Sequence, residues 1–183
     1  DGVELNLSCP NVKEGCMAFG NTYEGVKKVT SEVRKVLDKP LIVKLTPNVT
    51  DIAGIAKGVE DGGADAVSLI NTLLAMKIDI YKRRPVLANN TGGLSGPAIK
   101  PVAVRMVYQV SQAVNIPIMG LGGIMTGEDA IEFMLAGATT VSIGAGNFVD
   151  PYTSIKTIEG IEEYMRKCNI EDINDIIGKV EMN

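Results

Sequence analysis

The sequence predicts an α/β fold of parallel strands covered by helices, and three observations lead there. Short apolar runs alternate with amphipathic helical stretches along the chain. Most of those runs are apolar on both faces, as strands covered on both sides are. Each run ends in polar residues or glycine. The third observation separates two architectures: doubly wound sheets and barrels share the strand-helix order, but polar and glycine residues at every carboxyl end fit a barrel, which assembles its sites there. The predicted fold is a TIM (β/α)8 barrel, here incomplete, with about the last five βα units present and the first strands missing. A full barrel takes roughly 250 residues, against 183 here, and residues 1–183 read as one partial barrel domain.

The elements follow in order. Val3 to Ser8 alternates, with Val3, Leu5 and Leu7 on one face and Glu4, Asn6 and Ser8 on the other, the period of a strand. Pro10 cannot continue a ladder, so the strand stops at Cys9. The chain enters this strand directly after Asp1-Gly2, as though cut from something longer. Val12 to Asn21 is a loop, and Thr22 to Leu37 has helical spacing through Val26, Val29, Val33 and Leu37. That helix ends before Pro40, since the residue preceding a proline is pushed out of the helical region. Leu41 to Leu45 is a strand whose one charged member, Lys44, must snorkel or meet a negative group. Asp51 caps a helix running to about Asp61, closed by Gly62-Gly63, and Ala64 to Ile70 is a third strand ending at Asn71-Thr72.

Between Leu73 and Ser95 the pattern breaks. Met76, Ile78 and Ile80 alternate with charged neighbours and predict an antiparallel hairpin over a strand mouth, with a solvated turn or a partner contact at Tyr81-Lys82-Arg83-Arg84. Thr91 to Gly96 is flexible enough to bring backbone close to a ligand, or to act as a hinge. Pro97 to Val114 is a helix burying Ile99, Val102, Met106, Val107 and Val110. Ile116 to Leu121 is a strand ending in Gly122-Gly123; Thr126 caps the next helix, with Glu128 and Asp129 in its first turn. Thr140 to Ile143 is a strand ending in Gly144-Ala145-Gly146, and Thr153 to Arg166 opens the closing helical region.

Composition excludes whole classes of chemistry. There is no histidine, which removes Ser-His-Asp and Cys-His pairs and most catalytic zinc sites. A net charge of -4, with three Phe, five Tyr and no Trp, provides neither a basic field nor stacking platforms for nucleic acid. The three cysteines, at 9, 16 and 168, lack disulfide or metal-ligand spacing and suit a reducing cytoplasm. No apolar run approaches the length of a membrane span.

Two consecutive strands end in glycines, and the last strands of such barrels often hold a phosphate with backbone N–H groups and a helix amino end. The phosphorylated ligand must also suit a lysine, a cysteine and several asparagines at neighbouring strand ends, and flavin mononucleotide (FMN) does. Its phosphate would lie at the glycines, and Lys44 would face the N1/O2 edge, where negative charge develops on reduction. Cys9 would act as base across the ring, with Asn6, Asn11 and Asn71 reading a planar substrate that bears amide and carboxylate groups. Taken alone, Cys9 reads equally as an inert buried residue.

Asn6-Leu7-Ser8-Cys9-Pro10-Asn11-Val12-Lys13, Val43-Lys44-Leu45-Thr46-Pro47-Asn48, Asn71-Thr72, Thr91 to Pro101, Gly122-Gly123-Ile124 and Gly144 to Phe148 together resemble the dihydroorotate dehydrogenases over the whole chain. The cysteine and the Gly-Gly-Leu-Ser-Gly-Pro-Ala-Ile-Lys-Pro stretch resemble the class 1B catalytic subunit rather than class 2 enzymes, which use serine. The resemblance implies oxidation of dihydroorotate to orotate in pyrimidine synthesis. It implies Cys9 as base; Asn6, Asn71 and Thr72 at the substrate; and Asn6, Lys44, Ile70, Gly96, Gly122, Gly123, Gly144 and Ala145 at FMN. It further implies an electron-transfer subunit carrying FAD and an iron–sulfur cluster, reduction of NAD, and a homodimer within a heterotetramer. Ala145 stands where relatives often have threonine, Cys16 where they usually have glycine. With the first strands missing, this span alone is expected to be inactive. The rival readings are a dihydropyrimidine dehydrogenase-like flavin barrel, which shares the Asn-Leu-Ser-Cys-Pro strand end but continues differently from Val12, and a half-barrel keeping only a phosphate site.

Overall fold

A computed structural model describes residues 1–7 and 19–183. Among them, five strands make one sheet: β1 (Val3–Asn6), β2 (Leu41–Lys44), β3 (Ala66–Leu69), β8 (Ile118–Leu121) and β9 (Thr140–Ser142). They lie in that order and every neighbouring pair is parallel. Four shorter strands interrupt the series: β4 (Leu73–Ala75), β5 (Ile78–Asp79), β6 (Arg84–Pro85) and β7 (Gly92–Leu94). The helices are α1 (Tyr23–Arg34), α2 (Ile52–Asp61), α3 (Lys100–Ser111), α4 (Gly127–Leu135), α5 (Gly146–Val149) and α6 (Thr153–Cys168).

Pairing register sorts the side chains. Asn6 lies opposite Lys44, Lys44 opposite Ser68, Ser68 opposite Met119, and Met119 opposite Thr140. Since successive side chains alternate faces, these five share one face. Leu5, Val43, Val67 and Ile118, also mutually paired, share the other. There the helices cover the sheet: Val43 and Val67 are fully buried in one core with Val26, Val59, Val107 and Phe133.

Local chemistry starts the helices where polar residues precede apolar runs. Thr22 accepts from the Gly25 N–H, and Asp51 accepts from the Gly54 N–H. At α4 the Thr126 side chain takes the Asp129 N–H while the Asp129 carboxylate takes the Thr126 N–H, a reciprocal box.

Several boundaries differ from the sequence expectation. The helix expected over Pro97 to Val114 opens as a 3-10 turn at Pro97–Ile99, with α3 beginning at Lys100, because prolines at 97 and 101 remove amide donors from two successive turns. β3 begins at Ala66 rather than Ala64, because the Ala64 N–H closes α2 by bonding the Val59 carbonyl. The last turn of α1 tightens after Arg34, where Val36 and Leu37 bond carbonyls three residues back. Four-residue α5 and the 3-10 turn Ile173–Ile176 are too short to leave a periodic signal.

The excursion after β3 holds two nested antiparallel pairs, β4 with β7 and β5 with β6. Ile80 and Tyr81 near its tip are exposed. At the sheet's margins, β1 and β9 each have one neighbour among the described residues. Among the described residues, no helix is long and apolar enough to cross a membrane.

Helices α4 and α6 touch backbone to backbone. A Cβ built at Gly127 would lie 2.6 Å from both the Cα and carbonyl carbon of Gly160, while one at Gly160 would lie 3.0 Å from the Gly127 Cα. Gly127→Ala is therefore expected to lower stability by roughly 1–3 kcal/mol, the usual range for overpacking, and Gly160→Ala by less. Urea denaturation of the full-length protein measures both; unchanged midpoints would show that the helices part freely.

Candidate active site

Parallel strands aim their carboxyl ends one way, so the residues that terminate them meet at one rim. A cavity of about 280 Å³ lies at this rim, near the lower bound of ligand sites. Nine of the residues singled out by sequence line it: Lys44, Ile70, Asn71, Thr72, Gly96, Gly122, Gly123, Gly144 and Ala145. Asn6 stands beside it, its Oδ1 accepting from Nδ2 of Asn71 at 3.3 Å. Cys9 and Asn11, and with them Cys16, lie outside the described residues.

The asparagines are held by their own hydrogen bonds. Asn71 Oδ1 takes the Thr72 N–H at 2.8 Å just beyond the end of β3. Asn48, from the loop after β2, donates to the Thr72 carbonyl at 3.1 Å and accepts from the Leu74 N–H at 2.9 Å. It thereby ties the start of the hairpin to the neighbouring loop. Asn48 had no assigned role in the sequence reading, although the Thr46-Pro47-Asn48 motif contained it.

Lys44 is the cationic element. Its register places it between Asn6 and Ser68 on the strand face opposite the helices. Ser68 is already engaged, donating to Oε1 of Glu4 at 2.5 Å. Lys44 itself is half-buried, and among the described residues no hydrogen bond or ion pair reaches it. A half-buried ammonium in that state is ready for an anionic or carbonyl oxygen.

The glycines divide by function. Gly122 and Gly123 have φ of +124° and +86°, a region that side chains disfavour, and the space beside them is filled. A Cβ at Gly123 would lie 2.8 Å from the Gly96 carbonyl oxygen and 3.0 Å from the Lys100 nitrogen. Gly144 is different. No heavy atom lies within 4 Å of a Cβ built there, and its φ is outside the left-handed range. Among the described residues neither packing nor backbone geometry demands glycine at 144, and the missing side chain leaves the cavity open there.

Behind the Gly122–Thr126 turn sits a charged cluster that the sequence reading did not find. Lys100 Nζ donates to Oδ1 of Asp129 and to Oε1 of Glu132, each at 2.6 Å. The other Asp129 oxygen accepts from the Met125 and Thr126 N–H groups at 2.8 and 3.0 Å. Those two donors are thus consumed, and Gly122, Gly123 and Ile124 carry the turn's remaining ones. Burial opposes ionisation of Asp129, but Lys100 and the Met125 N–H outweigh it and hold the carboxyl below its usual value. Hydrogen bonds to Asp129 and Glu132 raise Lys100 correspondingly.

Parallel strand ends that deliver polar side chains to one glycine-lined rim are the arrangement in which β/α barrels build their sites. The chain belongs to the dihydroorotate dehydrogenase family: the family model described as "Dihydroorotate dehydrogenase" matches residues 1–165. Three similar relatives carry the name "Dihydroorotate dehydrogenase B (NAD(+)), catalytic subunit". The one from Alkaliphilus oremlandii is 64% identical over 180 residues, which cover 98% of this chain and 60% of the relative. Those from Lachnoclostridium phytofermentans and Brachyspira hyodysenteriae are 59% and 61% identical, covering 99% and 100% of this chain and 60% of each relative. A crystal structure of DHODH from Eimeria tenella in complex with ferulenol superposes with a TM-score of 0.84 at 23% identity, over 98% of this chain and 54% of that one. At that identity the likeness speaks for the fold. The chain spans about 60% of the length of the curated relatives it matches, and its five-stranded parallel sheet is part of the barrel.

The Asp129–Lys100 pair sets a pH dependence. A lowered carboxyl pKa contributes stability above the unfolded value of ~3.9 and loses it as pH falls through the folded value. A raised lysine contributes below ~10.4 and loses it as pH rises through the folded value. The stability gap between the unmodified protein and Asp129→Asn is therefore expected to be level from about pH 5 to 9 and to close below about pH 4. Denaturant midpoints across pH measure it, and a gap that persists in acid would contradict the pairing.

Proposed function

We propose that the complete protein oxidises dihydroorotate to orotate in pyrimidine synthesis, with FMN held at the rim described above. One observation carries this reading: the half-buried Lys44 ammonium, which meets no hydrogen bond or ion pair among the described residues, and the open space at Gly144 share a single cavity at the strand ends. The relatives' names support the reaction and its class.

The donor set fits the flavin nucleotide. Backbone N–H groups at Gly122, Gly123, Gly144 and Ala145, with Gly96 opposite, would hold the phosphate. Ala145 offers its backbone donor without a side-chain hydroxyl. Ile70 supplies an apolar wall. Lys44 would hold the N1/O2 edge, its charge countering the negative charge that gathers there. FMN, when bound, supplies the acceptor for the hydride that leaves the substrate. Cys9 would take the accompanying proton at Sγ. A free thiol with pKa ~8.5 is mostly protonated at neutral pH, so the site must favour its thiolate. Asn6, Asn71 and Thr72 would orient the substrate ring, each carboxamide offering both donor and acceptor.

The relatives' names, "catalytic subunit" and "NAD(+)", support a partner. We assign FAD and an iron–sulfur cluster to that electron-transfer subunit, which would deliver electrons to NAD in a cytoplasmic heterotetramer built on a homodimer of this protein.

Two measurements on the full-length protein test the reading. Cys9→Ser is expected to lower turnover of dihydroorotate near neutral pH by roughly 10²–10⁴-fold, the usual contribution of a positioned base, while the flavin absorbance stays. Undiminished turnover would remove Cys9 from the mechanism, and faster turnover of dihydrouracil would favour the dihydropyrimidine reading. Gly144→Val is expected to keep the denaturation midpoint of the flavin-free protein but to abolish the yellow colour. A variant that retains stoichiometric FMN would show that the cradle lies elsewhere.

A further inference from the structure

The Gly122–Thr126 turn has little in its own backbone to fix it. Two consecutive glycines with positive φ have more backbone freedom than any other pair, and fixing each residue costs roughly 1–2 kcal/mol of conformational entropy. A turn that presents amides to a ligand must be fixed before the ligand arrives, or binding bears that cost.

What fixes it lies behind the cavity. Asp129 takes the Met125 and Thr126 N–H groups with one oxygen and the Lys100 ammonium with the other. Lys100 begins α3, immediately after the Gly96–Ile99 turn whose glycine lines the cavity opposite. Gly123 in turn is pressed against the Gly96 carbonyl and the Lys100 backbone nitrogen. Two loops that wall the same cavity thus meet at Gly123 and are bridged behind it by the Lys100 ammonium. Lys100 does not itself line the cavity. Its side chain is only 22% exposed and that of Asp129 16%, so water competes weakly for the bond.

We infer that Lys100 is a positioning residue: through Asp129 it holds the Gly122–Ile124 amides against Gly96 and so sets the shape of the phosphate cradle. The inference rests on the FMN reading above, and its consequence is selective. The cradle would meet only the phosphate of FMN, so loosening it would weaken FMN and leave riboflavin, which lacks the phosphate, nearly untouched. A plain helix staple would weaken both ligands alike.

The test is the ratio of riboflavin to FMN dissociation constants, measured by flavin fluorescence on the full-length protein after its flavin is removed. Lys100→Met is expected to reduce that ratio at least tenfold, and Lys100→Arg to restore most of it. Glu132→Gln separates geometry from charge. The Glu132 carboxylate bonds the same ammonium but neither turn amide, so its loss adds one positive unit without freeing Asp129, and the ratio is expected to hold. Should Lys100→Met fail to fold, Asp129→Asn, of nearly identical shape, is expected to reduce the ratio in its place. A ratio unchanged in Lys100→Met, or in its substitute, overturns the inference while leaving the FMN site standing. So does a Glu132→Gln variant that shifts the ratio as far as Lys100→Met. An unmodified protein that binds FMN no better than riboflavin overturns the cradle itself, and Lys100's role with it.

Discussion

Parallel strands can pair at many offsets, but only one sets Asn6, Lys44 and Ser68 side by side on the face away from the helices. A slip of one residue would invert β2, driving Lys44 into the helix layer and turning Val43 outward. The opposite face resists this. Leu41, Val43 and Leu45 are 0–1% exposed, and each would forfeit about 1.5–3 kcal/mol of burial. The position of the cation at the rim is thus decided by apolar side chains that never touch the cavity.

At the rim, two kinds of electropositive group have separate supports. Lys44 is a full charge on a strand, held by register. The amides of the glycine turns are partial charges on loops, held by hydrogen bonds from behind. Asp129 serves the second group three ways: it closes the box with Thr126, consumes the Met125 amide and anchors Lys100. A single carboxylate therefore joins α4, α3 and the turn between β8 and α4. Asn48 plays the matching part on the other side, joining the loops that follow β2 and β3.

Much of this was legible in the sequence because the signals were local. Alternation from Val3, the lone lysine of Leu41–Leu45 and glycines at two strand ends each span fewer than eight residues, and each has its counterpart among the described residues: β1 over Val3–Asn6, Lys44 on β2 and the glycines of the cavity. What the sequence hid is non-local. Lys100 lies 29 and 32 residues from its carboxylates, a separation that no periodicity reports, and Asn48 meets Thr72 across 24. The box at Thr126 was half visible, with Thr126 read as a cap and Asp129 as a first-turn acid. That Asp129 also reaches Lys100 emerges only when α3 and α4 are packed side by side. The rule that polar residues collect at strand ends gave the rim but could not say which glycine was there for backbone, for packing or for ligand space. Built Cβ positions and φ together make that distinction: Gly96 and Gly144 both have open space beside them among the described residues, but the φ of +92° at Gly96 favours glycine, and at Gly144 no such demand exists.

Because Lys100 is held by two carboxylates, the cluster behind the turn carries a surplus negative charge. A dianionic ligand approaching a chain of net charge -4 would find no guiding field from that quarter. Amide dipoles act only over a few ångströms. Attraction would then have to come from groups in front of the turn, Lys44 among them, while the amides act through residence time: they decide how long a guest stays rather than how often it calls.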